Sequence, residues 1–416
     1  MRTPAVRDPA VVLNPGTAGV GIIHALGIAG VPIVTVGRRW PPLLGRFSKF
    51  PFQHFTYDAN RESLDTVLLR VSEQIEGRGV LFPAIDIDLE VLVRERERLA
   101  ERFHVPAAPH IGERIFDKDW QYELAAKTGV PIPRTLKFRA GETPDIAEMR
   151  FPLIVKPTAR TAESGGKAFR LRVMVDHAEW TSCLNDLAAQ FPGREFQLAE
   201  NIPGEPTQLH TVGCYADRCG RVLRTYTGRK ISQRPYTHGD ASIAETIPPD
   251  PRVVGHARAL LEAARFHGIG QVEFKLDPRD GEYRLMEING RTWSWVKLPA
   301  FSGVNLPLIQ YYDLTGDPRL QEALSSPQRH DYFLVRDFLV RLNDLDVERK
   351  AIAELSRSKQ RVSAVELPSE PLLNGVHRLA SFLNAYSGGS LEWLTRLNRS
   401  ADKLQESVDS HGSALP

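Results

Sequence analysis

Residues 271–291, Q-V-E-F-K-L-D-P-R-D-G-E-Y-R-L-M-E-I-N-G-R, space three oxygen-bearing side chains and a guanidinium so that they reach one point. Glu287 and Asn289 are two residues apart, and a strand projects such residues from one face. Arg291 follows on that face as the strand ends. Asp280-Gly281 is a turn signal between two apolar runs with polar interruptions, so an antiparallel hairpin is predicted. That hairpin sets Glu273 opposite the end of the second strand, near Glu287. Two carboxylates and an amide oxygen make a hard-oxygen site suited to Mg²⁺, with places left for phosphate and water. The alternative is a solvated, charged hairpin.

A second group of residues suits anions. F-P-L-I-V-K-P at 151–157 reads as a buried strand ending in a lysine. Its apolar residues pack the stem of Lys156 and let the ammonium emerge into a cleft, as a phosphate-facing point charge. T-A-R-T-A-E-S-G-G-K at 158–167 is small and glycine-rich. Such a loop either closes over a triphosphate with its backbone N–H groups and Lys167, or is plain surface. Residues 221–240, R-V-L-R-T-Y-T-G-R-K-I-S-Q-R-P-Y-T-H-G-D, read as a strand entering a basic loop. Arg229, Lys230 and Arg234 have no compensating acid there before Asp240, and His238 is either a solvated histidine or a base.

The elements that must carry these groups begin with an alternation. Residues 10–36 read strand, glycine-rich turn, helix, strand, a βαβ unit that opens a parallel sheet. A helix over 60–76, a strand over 79–83 and a helix over 88–102 continue it. The glycines of 16–21 are spaced G-x-x-G-x-G, and no acid follows the second strand at Val36-Gly37. A tight turn with close helix–strand packing therefore fits better than a dinucleotide cradle. Residues 116–133 read as a capped helix stopping at Gly129, then a proline-rich approach to a strand. A helix over about 251–267 stops at Gly268, ahead of the hairpin. After Arg291, short helices are predicted under the site, with Trp293 and Trp295 as core or substrate wall. Residues 331–340 are strand-like, and 345–357, 371–385 and 389–406 have helical periodicity.

Composition narrows the class. A chain of 416 residues, 42% apolar, is long enough for two or three units with packed cores. A net charge of +2 argues against a nucleic-acid partner or a polybasic membrane anchor. Three unevenly placed cysteines fit a reducing compartment better than a disulfide framework. No apolar leader and no membrane-length run is seen, so a cytoplasmic protein is expected.

V-E-F-K, the D-G turn and M-E-I-N-G-R together resemble the metal-binding hairpin of the ATP-grasp ligases, above all their carbamoyl-phosphate-synthase-like, carboxylate–amine ligase branch. Members usually read E-I-N-P-R. Gly290 stands at the proline, which changes backbone stiffness and not ligand chemistry. Lys156 followed by G-G-K resembles the lid of that family, and the resemblance runs from about residue 10 to about 316. It implies an α/β class with an α+β ATP-grasp fold: a Rossmann-like domain over 1–112, then a two-lobed ATP-grasp domain over 113–322 with its hinge near 199–205. Residues 323–416 are expected to form a mostly helical C-terminal extension, which could serve as a lid, a homodimer surface or a partner dock.

The resemblance also implies ligands. ATP and Mg²⁺ are the expected cofactors, with two ions bridged by Glu287 together with Glu273 and Asn289, and Mn²⁺ able to substitute. Lys118, Lys156, Lys167 and Lys230 would face the phosphates. Along the hinge E-F-Q-L-A-E-N-I-P-G-E-P (195–206), Ala199, Glu200 and Ile202 would run beside the adenine. Glu205 would be nearest the ribose, although many members carry that acid one residue later, where this chain has Pro206. Arg291 and Lys230 would be catalytic, Arg291 holding the γ-phosphate or acyl phosphate. Gly16, Gly19 and Asp86 are implied contacts to the acyl substrate, with Arg229, Arg234 and His238 beside the γ-phosphate. The implied activity joins a small carboxylate to an amine with release of ADP and phosphate. Bicarbonate activation and a degenerate ATP-binding regulator are the alternatives.

Overall fold

A computed structural model of the chain describes residues 8–39, 43–107, 110–158, 171–234, 239–336 and 346–386. The first sheet is built from β1 (Ala10–Leu13), α1 (Thr17–Gly27), β2 (Ile33–Arg38), β3 (Pro51–Tyr57), α2 (Leu64–Ser72), β4 (Gly79–Phe82), α3 (Asp86–Arg94), α4 (Arg96–Ala100) and β5 (Phe103–His104). All its pairings are parallel, in the order β3-β2-β1-β4-β5. Its central strands are continuous apolar runs because both faces are covered.

Two readings change here. The turn is shorter than expected, because α1 already begins at Thr17, while the close packing expected of the run holds. A Cβ on Gly19 would meet Pro15 at 3.1 Å and one on Gly21 would meet Val296 at 2.9 Å, so these glycines serve close packing. The helix expected over 88–102 is broken at Glu95 into α3 and α4.

The chain then forms α5 (Lys118–Thr128), capped by Asp117 and ended by left-handed Gly129 as the sequence predicts. A four-stranded antiparallel sheet follows: β6 (Thr135–Arg139), β7 (Leu153–Pro157), β8 (Arg172–Met174), α6 (His177–Gln190) and β9 (Glu195–Glu200), in the order β6-β9-β7-β8. Lys137 and Lys156 both pair with Gln197, so the three project from one face. Leu153, Val155, Phe196 and Leu198 fill the other face against Trp180 of α6.

The largest sheet draws on β10 (Leu209–Ala216), β11 (Val222–Arg234), β12 (Asp240–Thr246), α7 (Pro251–Ala263), β13 (Gly268–Leu276) and β14 (Tyr283–Asn289). After α8 (Lys297–Phe301), α9 (Leu306–Thr315) and α10 (Leu320–Ser325), the C-terminal segment adds β15 (Tyr332–Val335), α11 (Asp346–Leu355), β16 (Gln360–Ser363) and α12 (Pro371–Tyr386). The strand order is β14-β13-β10-β11-β12-β15-β16. The two helices fall where periodicity puts them. β16 is unanticipated, and the run 389–406 lies outside the described residues. Val272, Phe274 and Leu285 pack with α5 and α7, leaving Gln271, Glu273 and Lys275 on the opposite face.

The N-terminal sheet and the large sheet share one core, in which Ile22, Ile23 and Leu26 of α1 meet Trp293, Trp295 and Leu306. The C-terminal segment returns to this junction. Glu370, 3% exposed, accepts from His24 Nε2 at 2.6 Å, Ser48 Oγ at 2.6 Å and Lys49 N at 2.8 Å. Burial lowers His24 to about 4, so it is a neutral donor at pH 7. Lys297, 1% exposed, donates to the Glu366 carbonyl at 2.9 Å.

Candidate active site

The hairpin of β13 and β14 sets Glu273 directly opposite Glu287 and Gln271 opposite Asn289. The loop between them spans residues 277–282, longer than the Asp-Gly signal suggests, with Gly281 at φ +74. Asp277 organises it by accepting from Arg279 at 2.7 Å and Arg284 at 2.9 Å. Arg150 and Arg279 also reach Glu200 at 3.3 and 3.1 Å, so the hinge strand is tied to the hairpin tip.

These elements enclose a cavity of about 690 Å³. Its lining combines the apolar Ile154, Leu209 and Met286 with Lys118, Lys156, Lys230, Glu273, Glu287 and Asn289. Thr17, Trp293, Ser294, Trp295, Asp240 and Arg336 also line it. A second cavity of about 660 Å³ adjoins it, sharing Asp86, Lys118, Lys156, Glu287 and Asn289 as a common wall.

Each acid lining the first cavity is matched to a cation. Lys118 Nζ lies 3.7 Å from Glu287, and Lys230 Nζ lies 3.1 Å from Glu273. Arg291 holds both oxygens of Asp86 at 2.6 and 3.0 Å, and Arg336 is 3.1 Å from Asp240. Burial pushes the Glu273 carboxyl up, helped by Glu287, with Lys230 opposing. Lys156 makes no ion pair among the described residues. Burial lowers its pKa, and neighbouring Lys118 lowers it further.

The donor set fits divalent metal. Asn289 Nδ2 donates to Glu287 Oε1 at 2.7 Å and to Gln271 Oε1 at 3.3 Å, which leaves Asn289 Oδ1 as the hard ligand beside the two carboxylates. The ammonium groups of Lys118 and Lys230 supply the positive charge this pair of acids requires.

Of the expected residues, Lys118, Lys156, Lys230, Glu273, Glu287, Asn289, Arg291 and Asp86 converge on the cavity. Others do not. Gly19 is buried beneath Pro15, and Thr17 and Ala18 line the cavity in place of Gly16 and Gly19. Arg229 alternates to the opposite face of β11 from Lys230 and pairs with Glu245 at 2.7 Å. The idea that Arg229 and Lys230 lack compensating acids is therefore corrected: Glu245 and Glu273 supply them. Arg234 is in register with Asp240, its side chain lying outside the described residues, as do Lys167 and His238.

Along the hinge, the Glu200 carboxylate is turned into the arginine cluster and Ile202 is buried. Ile154, facing Ala199 in register, and Asn201 are the hinge-side residues that line the cavity. Glu205 is exposed, close enough to Lys275 to raise its pKa against the lowering by burial. Asp240, Met286 and Arg336 escape sequence reading because no local spacing marks them.

No protein-family model matches the chain. The D-aspartate ligase of Enterococcus faecium (strain Aus0004) is 25% identical over 267 residues, covering 60% of this chain and 62% of that protein. The match thus spans less than two thirds of that relative's length. Phosphoribosylglycinamide synthetase from Anaerococcus prevotii superposes with a TM-score of 0.58 at 15% identity, over 78% of this chain and 79% of that one. The biotin carboxylase domain of Hydrogenobacter thermophilus 2-oxoglutarate carboxylase, in complex with MgADP and bicarbonate, gives 0.54 at 17% identity, over 79% and 74%. The chain has the ATP-grasp fold. Among the described residues, no helix is long and apolar enough to cross a membrane.

Proposed function

We propose that the chain is an ATP-dependent ligase that activates a small carboxylate as an acyl phosphate and joins it to an amine. The observation that carries this reading is the facing pair Glu273 and Glu287, each countered by a lysine, in a cavity lined by both apolar and charged residues. Similarity to the D-aspartate ligase supports an amino acid among the substrates.

A carboxylate does not condense with an amine at neutral pH, because oxide is a poor leaving group. Attack of a carboxylate oxygen on the γ-phosphorus of ATP, with cleavage of its bond to the β-phosphate oxygen, makes an acyl phosphate and ADP. The amine nitrogen then attacks the acyl carbon, phosphate departs, and the nitrogen loses its proton. Both steps need positioning and charge neutralisation rather than a protein nucleophile.

Ile154, Leu209 and Met286 supply the apolar walls for adenine. Lys156, without an ion pair among the described residues, binds phosphate, and Lys118 and Lys230 turn from the acids toward the triphosphate. Glu273, Glu287 and Asn289 would hold Mg²⁺, two ions being the expected number and Mn²⁺ a substitute. Bound there, the metal supplies neutralisation of the triphosphate charge.

The test is ADP release with an organic acid in the presence of hydroxylamine, which traps an acyl phosphate as a hydroxamate. Acid-dependent ADP with hydroxamate is expected. ADP release that requires bicarbonate and no organic acid would transfer the reading to a carboxylase-type enzyme.

A further inference from the structure

Glu287 and Asn289 stand where the sheet holds its strands least. β14 is the outermost strand of the large sheet, and it ends at Asn289. Glu287 and Leu285 pair with the consecutive residues Glu273 and Phe274, so Met286 is an extra residue in a bulge just before Glu287. A bulge interrupts the ladder and bends its strand. Beyond it, only residues 287–289 pair with β13.

The Ile288 backbone lies between the two ligands, and Gln121 takes up both of its polar groups. Gln121 Oε1 accepts from Ile288 N at 2.8 Å, and Nε2 donates to the Ile288 carbonyl at 2.9 Å and to the Ile115 carbonyl at 2.8 Å. The side-chain amide does here what a neighbouring strand would do. Gln121 is 3% exposed, so water does not compete for these bonds.

Gly290 completes the fit. A Cβ there would meet Ile115 Cγ1 at 2.9 Å and Leu89 Cδ2 at 3.0 Å, so the turn over Gly112–Phe116 can lie this close because 290 bears no side chain. Ile115, held through its carbonyl by Gln121, therefore rests against Gly290. Gln121 also follows Lys118 by three positions on α5, and Lys118 is the partner of Glu287. One helix face thus presents both the lysine and the clamp to the same strand.

We infer that Gln121 is a positioning residue that holds Glu287 and Asn289 in the orientation a divalent metal requires, an inference that rests on the metal site of the reading above. A strand's backbone sets where its side chains point, so any rotation at Ile288 turns both ligands together. The ladder to β13 restrains that rotation from one side, and Gln121 restrains it from the other.

Gln310 supplies a matched comparison. It is 1% exposed, accepts from Ile269 N at 3.2 Å and donates to the Leu81 carbonyl at 3.4 Å, at the start of β13 where no proposed ligand stands.

The experiment is a Mn²⁺ titration of the full chain with a nonhydrolysable ATP analogue, read from the spin-resonance signal of free Mn²⁺. A protein-free titration gives the nucleotide's own share. Gln121→Met keeps the bulk and removes the amide, and is expected to raise the Mn²⁺ dissociation constant by about 10- to 100-fold. Gln310→Met is expected to leave it within about twofold, because its contacts lie away from the ligands. Gly290→Ala presses Ile115 from the strand side and should raise the constant by about 10-fold. Denaturant unfolding establishes that each variant is folded, and Gly290→Ala carries the test if Gln121→Met is not.

A constant within about twofold of wild type in the folded test variant overturns the inference. So does an equal rise in Gln310→Met, or a wild type without a Mn²⁺ site. None of these readings needs turnover. A wild type that binds Mn²⁺ with the analogue yet forms no hydroxamate counts against the ligase reading alone.

Discussion

Arg291 and Asp86 stand 205 positions apart in the chain, and the guanidinium of one grips both carboxylate oxygens of the other. Asp86 is the first residue of α3 in the parallel-sheet unit, and Arg291 lies just beyond the metal hairpin. The pair therefore locks the start of α3 to the end of the β13–β14 hairpin. A planar bidentate contact fixes orientation as well as distance.

If the pair works as a unit, its two halves are not independent. Asp86→Asn and Arg291→Gln should each lower kcat/KM by more than about 100-fold, and the double variant should lose little more than the worse single one. A double-mutant cycle on kcat/KM measures this. Strictly additive losses would show that Arg291 acts on substrate without Asp86.

Glu287 is the acid shared between the hairpin face and Lys118. Glu287→Gln should fold normally, since the side chain is partly exposed, yet lose more than about 100-fold in kcat. Chelation of divalent metal should weaken ATP binding to the wild type markedly, because Glu273 and Glu287 then face the triphosphate with lysines alone. Calorimetry with and without chelator reads this. Near-normal ADP release from a folded Glu287→Gln chain would remove the metal assignment.

For Lys156, a half-buried position on the cavity wall without an ion pair among the described residues describes an ammonium poised for an anion. Lys156→Ala should raise the nucleotide dissociation constant by about 10- to 100-fold, the value of one charge-assisted contact. An unchanged constant would mean that the ammonium faces elsewhere.

Lys297 gives a pH signature of stability. Burial lowers it from 10.5 to about 7, with Glu370 and Glu366 opposing. The unfolded chain therefore binds the extra proton between pH 7 and 10.5, so the cost of burying this residue is complete below 7 and is relieved as pH rises. Lys297→Met should be more stable than wild type at pH 6 by a few kcal/mol, less the lost bond to Glu366, since each pH unit separating the folded and unfolded pKa values is worth about 1.4 kcal/mol. The advantage should shrink steadily toward pH 10. Denaturant unfolding at pH 6, 8 and 10 measures it, and a difference that stays constant with pH would contradict a proton-linked cost.

The parts of the site legible in the sequence are those set by short-range periodicity. Glu287 and Asn289 share a face because a strand repeats every two residues, and Asp117 and Gly129 bracket α5 by backbone chemistry. Lys156 is readable because an apolar run surrounds it. Arg229 is misplaced next to Lys230 when charge is counted along the chain, because adjacent strand residues face opposite ways. Asp240 meets Arg336, and Glu200 meets Arg150 and Arg279, only through contacts between segments distant in the chain, which no window of sequence contains. The glycines of α1 are read as a tight turn with close packing, and the packing holds while most of the turn belongs to the helix. The same residue serves both needs, and only the neighbouring surface decides between them.

The Glu370 socket makes the first domain dependent on a late stretch of the chain. His24 is wholly buried, and its Nε2, together with Ser48 Oγ and Lys49 N, donates to a carboxylate more than 320 positions later. During synthesis, the amino-terminal sheet emerges long before that carboxylate does. Until Glu370 leaves the ribosome, the early domain carries an unfilled polar socket and an uncovered Val20, the residue on which Val365 and Leu373 finally rest. Arrival of this late segment is therefore the event that seals the beginning of the chain. A chain ending before residue 370 is expected to leave His24, Ser48 and Lys49 without this acceptor, which limited proteolysis of such a truncation would read.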